Sequence, residues 1–156
     1  MDASKIIKEM TRPVMGCTEP AAIALAASLA TAAARNVIPD WVRDDSERGE
    51  PRRAPVVPEI EMVAVRTVRS LYKNALAVGI PGASEGGIHL AAALGAFLDP
   101  SSGLNLLKAS DEEALNRARA MAREPETVTL EVREDDRDVL FVEARVIAVV
   151  DGERHV

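Results

Sequence analysis

Few residues in this sequence can do chemistry beyond ordinary acid–base pairing: one cysteine, Cys17, and two histidines, His89 and His155. Cys17 stands in Gly16-Cys17-Thr18-Glu19-Pro20, immediately ahead of an apolar run that starts at Ala21. A cysteine at a helix start has its thiolate favoured by the positive end of the helix, and a thiolate is a nucleophile or a metal ligand. Read for packing alone, Cys17 is a small buried apolar residue, as free cysteines commonly are. Nucleophilic catalysis also needs a base, and His89 is the mid-chain candidate, with no third group to orient it legible in the sequence. A closed zinc site needs three or four ligands at characteristic spacing, and no pair here has it.

A second informative stretch is Tyr72-Lys73-Asn74, which leads into Val78-Gly79-Ile80-Pro81-Gly82 and then Gly86 and Gly87. The glycine spacing fits neither the dinucleotide fingerprint nor the phosphate loop. It offers a lysine and an amide beside a backbone that a ligand can approach closely. The competing reading is a tight packing turn with Lys73 in solvent.

These residues must be positioned by the elements around them. Residues 2 to 10 have helical spacing, ended by Pro13. Thr18 or Glu19 can cap a helix through Ala34, with Pro20 in its first turn. Only Ser28 and Thr31 interrupt its apolar surface, so it must be covered on most sides. Residues 37–58 hold four prolines and interleaved acids and arginines, which predicts a solvated surface loop. Glu59 to Arg69 suits a strand, His89 to Leu98 a helix, and Asp111 to about Arg123 a capped helix stopped by Pro125. Val128 to Val132 and Val142 to Ala148 alternate apolar and polar, which predicts a hairpin with one buried face. The expected architecture is a single α+β domain over 1–156, with Ala-rich buried helices packed on a small, mainly antiparallel sheet.

Composition narrows the partners. The chain has 156 residues, 47% of them hydrophobic, enough for a core. A net charge of −6 argues against nucleic acid or an anionic membrane as the main partner. Aromatics are only 3%, too few for a base-stacking platform. The most apolar helix spans roughly 22 Å at 1.5 Å per residue, short of the ~30 Å hydrocarbon core. A lone cysteine excludes an internal disulfide and the start lacks a secretory pattern, so a cytoplasmic location is expected. The apolar surface of the long helix and the hairpin exceeds what one aromatic-poor core needs, which points to a homo-oligomer or a partner chain.

Taken together, Gly16-Cys17-Thr18-Glu19-Pro20-Ala21-Ala22, Tyr72-Lys73-Asn74, Val78-Gly79-Ile80-Pro81-Gly82 and Ala91-Ala92-Ala93-Leu94-Gly95-Ala96 resemble the L-cysteine desulfidase and serine dehydratase-like alpha-chain family. The resemblance implies a lyase that eliminates the β-substituent of L-serine or L-cysteine to give pyruvate and ammonia, without pyridoxal phosphate. It implies a four-iron, four-sulfur cluster whose open iron takes the leaving group, with Cys17 as one of three ligands. Lys73 and Asn74 are then the expected catalytic residues, and Thr18, Glu19, Gly79 and Gly82 the expected substrate-binding ones. With one cysteine the chain cannot hold that cluster alone, so a complementary C-terminal chain is expected. The alternative is a non-catalytic domain that binds a small metabolite or oligomerises.

Overall fold

A computed structural model of the protein describes residues 18–34, 58–134, 140–150 and 152–156. The expected leading helix, Cys17 and all but the last residue of the proline-rich loop lie outside them. Helix α1 runs over Thr18–Ala34. Pro20 falls in its first turn, where a missing N–H costs no hydrogen bond, and the alanines that follow are the strongest helix formers. Ile23, Ala24 and Ala27 are fully buried. Its two polar interruptions are buried and satisfied: Ser28 Oγ donates to the Leu98 carbonyl at 2.6 Å, and Thr31 Oγ1 to the Ala27 carbonyl at 3.1 Å.

Strand β1, Glu59–Val68, sends Val63, Val65 and Thr67 into the core. The chain then passes through α2 (Arg69–Ala75), α3 (Ile88–Gly95), a 3-10 segment (Pro100–Ala109) kinked at Gly103, and α4 (Glu112–Arg123) before β2 (Val128–Arg133). Strands β3 (Val142–Val150) and β4 (Glu153–His155) complete a sheet of order β2-β1-β3-β4. β2 lies parallel to β1, with Val63 opposite Val128, whereas β3 is antiparallel to β1, with Val63 opposite Val146. β4 turns back antiparallel on β3.

The α+β class and the mainly antiparallel sheet are as expected, but the hairpin is not. β2 and β3 never pair; β1 lies between them, and everything from α2 to α4 forms the long crossover that a parallel pair requires. Alternation reports which face of a strand is buried and is silent on which strand lies beside it. The central place goes to β1, whose Val63 and Thr67 are fully buried on one face.

The described helices cover that face. α1 and α3 meet at small residues: a Cβ on Gly95 would lie 2.1 Å from the Ala24 carbonyl oxygen, so glycine is what lets the two helices approach. α4 begins where Asp111 accepts the Ala114 N–H at 2.8 Å, an N-cap hydrogen bond. Beyond its end the Thr127 hydroxyl donates to the Met121 and Glu124 carbonyls, fixing the entry into β2. Among the described residues no helix is long and apolar enough to cross a membrane.

Candidate functional site

Among the described residues two hollows stand out. The larger, about 510 Å³, lies over Ala64 on the sheet face away from the helices. Its walls are Arg66 paired with Glu131 and Arg145 paired with Glu143, both at 2.9 Å. These side chains are well exposed and cancel one another's charge, as on a solvated sheet face.

The smaller hollow, about 150 Å³, is the one the sequence points to. It is a small, partly open cleft. Three separate segments build it: the start of α1 (Thr18, Pro20, Ala21), the glycine-rich turn (Val78, Gly79, Pro81), and the second half of the 3-10 segment (Leu104, Asn105, Leu107, Lys108). Its lining is mainly apolar, with Thr18, Asn105 and Lys108 supplying the polar side chains. An apolar cleft with a few converging polar groups is the usual form of a small-molecule site.

Some of the expected residues lie at or beside it. Asn74 Nδ2 donates to Glu19 Oε1 at 3.0 Å, linking α2 to the first turn of α1, and the Thr18 hydroxyl lies 3.4 Å from Glu19 Oε2. Thr18 and Gly79 line the hollow, and Glu19 and Asn74 form the adjoining pair. Lys73 is exposed on α2 next to Asn74 and is not among the lining residues. Gly82 lies farther along the turn, where a Cβ would sit 3.5 Å from Leu115 of α4. His89 is exposed on α3 and does not line the hollow, and its expected partner Cys17 lies outside the described residues. The Ala91 to Ala96 motif is buried helix packing.

The glycine-rich turn is held in shape from both sides. The Gly87 N–H donates to the Val78 carbonyl at 2.9 Å and Gly79 bridges to Gly86. A Cβ on Gly86 would lie 2.3 Å from the Val78 oxygen, so this closure requires glycine. Glu85, at the tip, accepts from Arg119 Nε of α4 at 2.8 Å, with Arg123 3.7 Å away. The Arg119 hydrogen bond and the charges of both arginines hold the Glu85 carboxyl below its ordinary pKa.

Sequence reasoning missed the 3-10 segment's share of the lining. The signal was present: Asp99-Pro100-Ser101 is a helix-start pattern, and Asp99 does accept the Ser101 N–H, at 2.8 Å. Asn105 and Lys108 lie three residues apart, which a 3-10 helix places one above the other, and Lys108 Nζ donates to Asn105 Oδ1 at 3.1 Å.

Comparison with known proteins gives a similar protein from Shewanella baltica (strain OS223), 34% identical over 117 residues, which cover 74% of this chain and 22% of the relative. A YhaM protein of Shigella dysenteriae serotype 1 is 32% identical over 141 residues, and one from Vibrio parahaemolyticus serotype O3:K6 is 30% identical over 138. All three are named UPF0597 proteins. The chain is similar to the UPF0597 proteins. It spans about a quarter of the length of these curated relatives. The expected membership of the desulfidase and serine dehydratase-like family is therefore corrected. That resemblance rested on four short motifs, whereas the matches to UPF0597 proteins extend over 74% to 90% of the chain, and none of these three relatives bears a desulfidase or dehydratase name. No family model and no solved structure matches the chain.

Proposed function

We propose that this chain forms the substrate-binding wall of a larger cytoplasmic enzyme that handles a small amino acid, and that its reaction is β-elimination from L-serine or L-cysteine. The observation that carries the reading is that Thr18 and Gly79 line a small hollow whose other polar side chains are Asn105 and Lys108, while Glu19, next to Thr18 in the chain, pairs with Asn74. The quarter-length match supports completion by further residues, on the same polypeptide or on a partner chain. In the proposed reaction the α-proton and the β-hydroxyl or β-thiol leave, and hydrolysis of the resulting enamine gives pyruvate and ammonia.

Within this chain the residues bind and orient. The Glu19 carboxylate, held by Asn74, supplies negative charge beside the hollow for a substrate ammonium group, and the apolar lining takes the carbon skeleton. An iron–sulfur cluster with Cys17 as one ligand does not fit this chain alone, which has a single cysteine, and no step here is routed through one. The test is an anaerobic assay of the intact protein, with and without added iron and sulfide. Release of pyruvate from L-serine or L-cysteine, reduced at least tenfold in Asn74→Ala, is expected. Amino-acid binding with no turnover under either condition, with the complementary chain also present, refutes the lyase reading in favour of a non-catalytic small-metabolite module.

A further inference from the structure

We infer that Lys108, steadied by Asn105, is the carboxylate anchor of the hollow, so that the site selects small α-amino carboxylates over their uncharged analogues. This rests on the hollow being the amino-acid site. Among the described residues Lys108 is the one cationic residue lining it, and no acidic one does. Lys73, the lysine that sequence motifs bring forward, does not reach the lining.

The local geometry explains how a flexible lysine is made to point. Past the kink at Gly103, the 3-10 winding places residues three apart in register, so Leu104 and Leu107 form one row of the wall and Asn105 and Lys108 the next. The Asn105 carbonyl oxygen takes one ammonium hydrogen of Lys108 at 3.1 Å. A lysine ammonium has three donors and an asparagine amide two, so donors of both residues stay available to the two oxygens of a carboxylate. Across the hollow, Thr18 is followed by Glu19. Lys108 thus gives the 3-10 wall the positive charge that matches a carboxylate, and Glu19, outside the lining beside Thr18, is the acid on the α1 side toward which the ammonium of a zwitterionic amino acid would turn. An uncharged analogue satisfies only one end, and leaving a charged group unmatched in a partly desolvated site is unfavourable.

The test uses the intact protein, L-serine, and L-serinamide, which keeps the ammonium and hydroxyl but lacks the carboxylate. Binding is read by calorimetry in the native sequence, in Lys108→Gln, and in Gly79→Leu. Lys108 is exposed, so its replacement leaves the fold intact, which circular dichroism checks. Gly79 lines the hollow, has no neighbour within 4 Å of where a Cβ would sit and has no positive φ, so leucine there adds bulk at the hollow without backbone strain. The native protein is expected to prefer L-serine to L-serinamide. Lys108→Gln should weaken L-serine binding about tenfold or more, as for loss of one charge-assisted hydrogen bond, and leave L-serinamide unchanged. Gly79→Leu should abolish binding of both. If Lys108→Gln binds L-serine as the native protein does while Gly79→Leu does not, the anchor is overturned and the amino-acid site stands. Binding that survives Gly79→Leu, or a native protein that binds neither compound, overturns the site and the anchor together.

Discussion

The contact between Gly95 and Ala24 gives the sharpest test of how α1 and α3 are held. In Gly95→Ala the new Cβ would start 2.1 Å from the Ala24 oxygen and 2.7 Å from the Ala24 carbonyl carbon and Cα, all of them backbone atoms that cannot swing aside. Reaching an ordinary 3.4 Å contact requires the helices to part by about 1.3 Å along that line. A gap of 0.5–1 Å already forfeits a quarter to a half of each dispersion contact. Such a gap would run along the seam of Ala24, Ala27, Ala91 and Leu94, all fully buried. Overpacking of this kind costs ~1–3 kcal/mol, and backbone atoms on the receiving side place it at the upper end. Alanine recovers at most ~1 kcal/mol of helix propensity, less at the end of α3. The net loss is about 2 kcal/mol, or about 4–8 °C in midpoint for a chain of this size. Thermal unfolding followed by circular dichroism reads it directly, with Gly79→Ala as control, since that position has no neighbour within 4 Å. A midpoint for Gly95→Ala equal to or above that of the native protein would refute the close approach of the helices.

Other expectations follow from single contacts. Because Glu85 has a lowered pKa in the folded protein, its pairing with Arg119 stabilises above the ordinary carboxylate pKa and is lost as pH falls through the folded value. Denaturation midpoints measured from neutral pH down through the acid range should therefore fall less steeply in Glu85→Gln, and parallel curves would exclude this pair as a source of acid sensitivity. Ser28→Ala strips the buried Leu98 carbonyl of its 2.6 Å hydrogen bond and should cost about 1–3 kcal/mol by urea denaturation. Asp111→Ala removes the N-cap of α4 and should cost about 1 kcal/mol, whereas Asp111→Asn should recover most of it.

What was legible in the sequence was what local physics decides. The α1 helix and the α4 cap at Asp111 follow from propensity, Pro20 and capping chemistry, and each lies where expected. Strand β1 followed from its valines. The strand order was not legible, because Val128 to Val132 and Val142 to Ala148 alternate identically whether they face each other or both flank β1. The lining of the candidate site was legible only in part. Thr18, Glu19, Asn74 and Gly79 are marked by the motifs around them, but Asn105 and Lys108 reach the hollow only through a kink at Gly103 that no periodicity announces.

The parallel pairing of β1 with β2 bears on how the chain folds. Val63 meets Val128 and Val146, so both neighbours of the central strand come from late in the sequence. Such long-range pairings must meet the entropy of closing a large loop before any contact repays it, which places the protein among slower folders. During synthesis β1 is finished long before either neighbour exists, with both its edges open and Val63, Val65 and Thr67 uncovered by the sheet. Helices α1 and α3, whose Ala24 and Gly95 both precede β2, can meet in that interval and give the waiting strand a surface to rest on. The small-residue seam between them would then serve as an early platform on which the sheet is later assembled from its centre outward.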